Sequence, residues 1–197
     1  MPRDDELETL SDCQLMLRVS RGDRASFRVL YVRHAVAATR FFYSLSGRHV
    51  EAEDLCQEVF MRIWRIRDRY CITGAFKSYF YAIARLIWME RLKKLKRCNE
   101  SNATDVWKDM DGMTAEPCSR PNPRAESVTG EVRERIMAAM RKLPEEQRVV
   151  FALRSVGGLS LGDIAKVLDC PVNTVRSRKI LAMKKLRAML KDFMFVL

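Results

Sequence analysis

Apolar residues recur along this chain at intervals of three and four, the period of helices with one buried face. They nowhere alternate with polar residues as in a half-buried strand. Leu15, Met16 and Val19 predict a helix from Ser11–Asp12 to near Gly22, and Asp23 restarts the pattern through Phe27, Leu30 and Tyr31 toward Tyr43. A loop is expected at Ser44–Arg48, a helix over Glu51–Arg67, a loop over Asp68–Gly74 and a long helix over Ala75–Arg97. The period fails from Asn99 to Gly130, where Pro117, Pro121 and Pro123 stand among Ser, Asn and Asp as in a flexible linker. Within it, Val106, Trp107, Met110 and Met113 are hydrophobes able to dock on a partner. Helical spacing returns over Glu131–Leu143 and, after Pro144, over Glu145–Val156. The predicted fold is all-α: two small helical domains, 1–98 and 131–197, joined by the 99–130 linker. No internal repeat stands out, and no run of about 18 apolar residues predicts a membrane span.

Beyond Gly157–Gly158 the pattern becomes more specific. Leu159 to Leu186 reads LSLGDIAKVLDCPVNTVRSRKILAMKKL. Ser160 suits the N-cap of a helix, with Asp163 three residues on in a capping-box-like pair. Ile164, Ala165 and Leu168 form its apolar stripe, and Ala165 is small where a second helix must cross closely. Asp169 falls at the tight turn, and Asp is among the few residues that tolerate a left-handed backbone. Pro171 suits the first turn of the next helix. Val175 must pack back on the first helix, which leaves Asn173, Thr174, Arg176, Ser177, Arg178 and Lys179 facing outward. This is the spacing of a helix-turn-helix, whose second helix enters the DNA major groove by its N-terminal part. The plainer alternative is an αα-hairpin with a solvated basic face. That last helix is expected to run to about Leu190.

Charge agrees with a polyanionic partner, since the net charge is +11. Two basic blocks flank an acidic middle: 19 Lys/Arg against 12 Asp/Glu over 1–98, 3 against 6 over 99–130, and 14 against 7 over 131–197. The six cysteines contain no C-x-x-C pair and the two histidines are isolated, so neither a metal site, a cofactor nor a catalytic centre is expected. Several cysteines lie in apolar stripes, which suits reduced thiols in a cytoplasmic protein. Asp4, Asp5, Glu6 and Glu8 do not fit a secretory leader.

Two further helices carry candidate chemistry. In EAEDLCQEVFMRIWRIR (51–67), Ala52, Leu55, Cys56, Val59, Phe60, Ile63 and Trp64 make one wide buried face. Asp54, Gln57, Glu58 and Met61 share another. Glu51, Glu53, Asp54 and Glu58 thus put an acidic patch on a basic domain, which suits a basic protein surface. An acidic helix N-terminus favoured by the helix dipole accounts for Glu51 to Asp54 equally well. In FKSYFYAIARLIWMERLKKLKR (76–97), Lys77, Tyr81, Arg85 and Trp88 form one stripe, and Arg91, Lys93, Lys94, Lys96 and Arg97 crowd the end. Rings among cations suit unpaired DNA. Core packing of the rings with a solvated basic tail is the alternative, and Phe80 and Ile83 are assigned to the core outright.

In order, these elements resemble the extracytoplasmic-function (ECF) subgroup of bacterial sigma factors, of the sigma-70 family. LMLRVSRGDRASFRVLY resembles the family's opening helices, EAEDLCQEVFMRIWR region 2.2, and FKSYFYAIAR the aromatic start of regions 2.3 to 2.4. LPEEQRVVFALRSVGGLSLGDIAKVL with CPVNTVRSR resembles regions 4.1 and 4.2. Similarity covers about residues 11–97 and 131–190. The chain departs from the family's habit at Tyr79 (usually Trp), Leu86 (Asn), Glu90 (often Asp) and Leu181 (often Arg), which bears on promoter choice.

The resemblance implies a protein that acts by binding, not an enzyme. Asp54, Gln57, Glu58, Phe60 and Met61 would lie at or beneath a contact with the β′ clamp helices of core RNA polymerase. The loop Asp68–Gly74 would pocket a flipped base, and Lys77, Tyr79, Tyr81, Arg85, Trp88 and Arg91 would contact the strand of the −10 element. Region 4 would bind the β flap and read the −35 element with Val172, Asn173, Thr174, Arg176, Ser177, Arg178 and Lys179. The acidic linker would thread toward the RNA path. An anti-sigma factor as inhibitor, a bacterial cytoplasmic location and a monomeric free state complete the expectation. The rivals are an autonomous helix-turn-helix regulator, which would need neither the acidic nor the aromatic-basic helix, and a sigma-fold adaptor without promoter activity.

Overall fold

The structure is a computed structural model that describes residues 4–72, 74–101 and 134–191. Every regular element among them is helical. They are α1 (Asp4–Thr9), α2 (Asp12–Ser20), α3 (Arg24–Ser46), α4 (His49–Arg65), a 3-10 turn (Arg67–Arg69), α5 (Phe76–Ser101), α6 (134–141), α7 (Glu145–Ser155), α8 (Leu161–Leu168) and α9 (Val172–Met189). The linker hydrophobes Val106, Trp107, Met110 and Met113 lie outside the described residues.

The helix starts follow local chemistry. Ser11 caps α2 in a full capping box with Gln14, and the Asp23 carboxylate caps α3 by accepting from the Ala25 and Ser26 amides. Several boundaries differ from expectation: α4 starts at His49 and stops at Arg65, a 3-10 turn begins the expected Asp68–Gly74 loop, and α5 runs past Arg97 to Ser101. Helix α3 runs on to Ser46, through most of the expected loop, and stops at Gly47, whose φ of 72° is left-handed and closes the helix by donating to Tyr43. The short α1 has little apolar periodicity of its own. It is held instead from outside: Leu7 is fully buried, and the Arg33 guanidinium donates to the carbonyls of Glu8 and Leu10.

Helices α2 to α5 enclose an aromatic core in which Phe41, Phe42 and Phe80 are fully buried. The buried face of α4 contains Ala52, Leu55, Cys56, Val59, Phe60 and Ile63, with Trp64 half-buried beside it. The same core continues without a break into the C-terminal helices through Val149, Val150, Leu153, Leu159, Ile164, Val167 and Leu168. A smaller cluster of Ala139, Met140, Leu143, Ala182 and Leu186 fastens α6 to α9. The two helical units therefore share one hydrophobic core.

Candidate nucleic-acid interface

The turn between α8 and α9 has the geometry its residues suggest. Ser160 accepts from the Asp163 amide at 3.1 Å, and its hydroxyl donates back to the Asp163 carboxylate at 2.6 Å. Asp169 sits at φ 50°, ψ 54° and is the one non-glycine residue with positive φ among those described. Its amide and that of Cys170 return to the carbonyls of Lys166 and Ala165, which caps α8 and turns the chain. Pro171 stands at the N-cap of α9, one position ahead of its expected place. Val175 is fully buried against Ile164 and its neighbours, as the packing of two crossing helices requires.

That burial decides which side chains of α9 remain outside. Val172, Asn173, Arg176 and Ser177 are exposed, while Thr174, Arg178 and Lys179 are half-buried. Ser177 donates to the Asn173 carbonyl at 3.0 Å and Arg176 to the Asn173 side chain at 3.4 Å, so these three form one local group. Arg178 is engaged elsewhere. It pairs with Glu146 of α7 at 2.6 Å and touches the Cys170 sulfur at 3.9 Å.

On α4, Asp54, Gln57 and Met61 are exposed and Glu58 is half-buried, so they share the outward face. Phe60 lies beneath them, its ring against Tyr31 at 4.7 Å, Phe80 at 5.4 Å and Phe27 at 6.1 Å. Arg62 bridges Glu58 at 3.3 Å and Glu90 of α5 at 2.7 Å. The hydrogen bond from Arg62 holds the Glu90 carboxyl below its ordinary range. Of the acidic patch, Glu51 is not free: it pairs with Arg91 at 2.6 Å.

On α5 the expected strand-facing residues divide. Lys77 is exposed, and Tyr79 and Arg85 are half-buried. Tyr79 stacks edge-on against Tyr70 at 5.0 Å, and its hydroxyl has no hydrogen-bond partner in the structure. Tyr81 and Trp88 do not face solvent, against expectation: they are 2% and 3% exposed. Tyr81 packs on Phe41 at 5.2 Å, and burial pushes its hydroxyl up to about 12. The turn after α7 closes over it, since a side chain at Gly157 would come within 3.1 Å of the Tyr81 ring. Trp88 donates from Nε1 to the Glu145 carboxylate, and Arg85 donates to the Val167 carbonyl at 3.3 Å. Arg91, expected on DNA, is the partner of Glu51. Glu145, Val167, Glu146 and Glu51 thus belong to the site although the local pattern assigned none of the first three to it.

Among the described residues no group of His, Cys, Asp and Glu is placed to hold a metal ion, and no helix is long and apolar enough to cross a membrane. The described residues thus leave an acidic outward face on α4 and a basic, exposed start of α9, while the rings of Tyr81 and Trp88 on α5 are buried.

Two family models match the chain: "Sigma-70 region 2" over residues 30–98 and "Sigma-70, region 4" over residues 133–186. The chain is 33% identical over 180 residues to the "ECF RNA polymerase sigma-E factor" of Escherichia coli (strain K12), covering 87% of this chain and 90% of that one. It therefore belongs to the ECF RNA polymerase sigma factors. Two solved structures share the fold. One is the sigma factor RpoE in complex with the anti-sigma factor NepR from Bartonella quintana, with TM-score 0.67, 23% identity, and 84% and 96% of the respective chains covered. The other is CnrH in complex with the cytosolic domain of CnrY, with TM-score 0.67, 22% identity, and 92% and 97% covered.

Proposed function

We propose that this chain directs promoter-specific transcription initiation by binding core RNA polymerase through 1–98, reading a −35 element through 131–197, and joining the two by the 99–130 segment. One observation carries the reading. An acidic outward face on α4 and a basic, exposed start of α9 occupy the two family-matched segments of one chain. A lone DNA-binding regulator has no use for the first.

The face of Asp54, Gln57, Glu58 and Met61 meets the β′ clamp helices, with Phe60 supporting it from below. Polyanionic DNA would be repelled there, and a basic protein surface attracted. Asn173, Arg176 and Ser177, flanked by Val172 and Thr174, reach base edges in the major groove, while Arg178 and Lys179 add phosphate contacts. Region 4 also takes the β flap. Lys77, Tyr79, Tyr81, Arg85, Trp88 and Arg91 hold the −10 strand once they are presented to it. The site of action is the bacterial cytoplasm, an anti-sigma protein is the inhibitor, and the free protein is a monomer.

The test is co-elution of the full chain with core polymerase from its own organism, alongside an Asp54→Lys/Glu58→Lys variant. Binding by the wild type that the variant loses is the expected result. Absence of wild-type binding to a cognate core, with no inhibitor present, overturns the reading.

A further inference from the structure

One cation of the recognition helix already holds an anion. Arg178 stands three residues after the buried Val175 and four before the buried Ala182, so its side chain leaves α9 along the flank of the buried stripe. There it meets α7. Its Nη2 pairs with Oε2 of Glu146 at 2.6 Å, and its Nη1 lies 3.9 Å from the Cys170 sulfur in the turn before α9. Glu146 shares the first turn of α7 with Glu145, but the two carboxylates diverge. Glu145 is used by Trp88 and Arg148, whereas the Glu146 side chain stays 69% exposed while it pairs with Arg178.

A guanidinium receives a carboxylate and a phosphate through the same N–H donors. A backbone phosphate that takes Nη2 of Arg178 must therefore displace Glu146 or lie beside its negative charge. Arg176 is under no such constraint, because it meets the neutral side chain of Asn173. We propose that Glu146 is an internal competitor for DNA phosphate, its carboxylate standing on Arg178 where a backbone phosphate would bind. This rests on the assignment of Arg178 to a phosphate contact made above. Phosphate contacts supply the affinity that is blind to sequence, and base contacts supply the discrimination. Glu146 thus lowers the hold of a chain with net charge +11 on DNA of any sequence, and leaves base reading by Asn173, Arg176 and Ser177 untouched.

The test titrates the full-length chain into a fluorescein-labelled duplex of random sequence at a series of salt concentrations and follows anisotropy. Wild type, Glu146→Gln, Arg178→Ala and the double variant are compared. Glu146→Gln keeps the shape of an exposed side chain and removes its charge. It is expected to tighten binding about threefold, the scale of a partly exposed ion pair, and to steepen the fall of log K with log salt by about one unit, as one further phosphate contact does. Arg178→Ala is expected to weaken binding and to flatten that slope. In the Arg178→Ala background Glu146→Gln is expected to change neither. Unchanged or weaker binding by Glu146→Gln overturns the competition, weaker binding because Glu146 would then be aiding Arg178. A gain that persists without Arg178 overturns it as well, since removal of a negative charge anywhere nearby would do the same. Arg178→Ala without effect on affinity or slope strikes the phosphate assignment itself, and the competition with it. None of these readouts requires polymerase, so they fail independently of the co-elution test.

Discussion

Arg91 of α5 closes on Glu51 of α4 at 2.6 Å, so a cation of one helix and an acid of the other neutralise each other across the α4–α5 seam. The Glu51 side chain is 15% exposed and that of Arg91 35%, which places the pair between a surface contact and a buried one. A double-mutant cycle with Glu51→Gln and Arg91→Gln is expected to return a coupling of about 1 kcal/mol, the upper end for partly exposed pairs. Urea denaturation measures it.

The turn of the helix-turn-helix rests on a strained residue. Asp169 at φ 50° occupies a region that an L-residue enters at a cost, and a β-branched side chain there fares worst. Asp169→Val is expected to destabilise the chain by about 1–2 kcal/mol, while Asp169→Gly stays within about 1 kcal/mol because relief of strain offsets the added freedom of the unfolded chain. Removing the neighbouring cap with Ser160→Ala costs about 1 kcal/mol. Chemical denaturation midpoints rank the three.

Acid sensitivity centres on Asp12 and His34. Burial pushes the Asp12 carboxyl up, but hydrogen bonds and charge from Arg33 and His34 outweigh it and hold Asp12 below its ordinary value. Burial lowers His34 despite the 2.8 Å contact with Asp12, and Lys77 and Arg33 add to the lowering. The unfolded chain therefore takes up the His34 proton near 6.5, and the folded chain only at lower pH. Below about pH 6.5 the unfolded state binds more protons, so stability falls with pH. It falls again where Asp12 titrates, below 3.8. The denaturation midpoint of the wild type is expected to drop between about pH 7.5 and about pH 5. That of His34→Gln, which keeps a donor for Asp12, changes less. An equal drop in both contradicts this origin.

Arg176 and Arg178 are expected to separate in experiment. Arg176 is exposed at the start of α9, whereas Arg178 is tied to Glu146 at 2.6 Å. Arg176→Ala should cost about 1–3 kcal/mol of promoter binding with an altered base preference and unchanged stability. Arg178→Ala should weaken binding to all sequences alike and lessen its salt dependence, as loss of a phosphate contact does. Binding titrations against promoter variants at two salt concentrations read both effects.

The helix-turn-helix was legible in the sequence because every part of it is local: Ser160, Asp169, Pro171 and Val175 act within a few residues of themselves. The buried face of α4 was legible for the same reason, since Ala52 to Ile63 follow a single period. Phe80 and Ile83 proved to be core as read, but Tyr81 and Trp88 could not be separated from them by spacing. Their burial depends on α7 and α8, and the partners that fix it stand 57 residues away at Glu145 and, for Arg85, 82 residues away at Val167. No periodicity within one helix carries that information. The pairing of Arg91 with Glu51, 40 residues apart, was hidden likewise, so two charges read as free are each other's partner. Helix α1 escaped because its stability comes from Arg33 and from burial of Leu7, not from its own pattern.

Transcription from sheared genomic DNA of the source organism, with core polymerase alone and with this chain added, tests the central claim most directly. A sigma factor of this kind yields discrete start sites that appear only when the chain is present, preceded by a shared pair of sequence elements at the −35 and −10 positions. A chain that binds core yet produces no discrete starts contradicts the account and leaves a sigma fold used for another purpose.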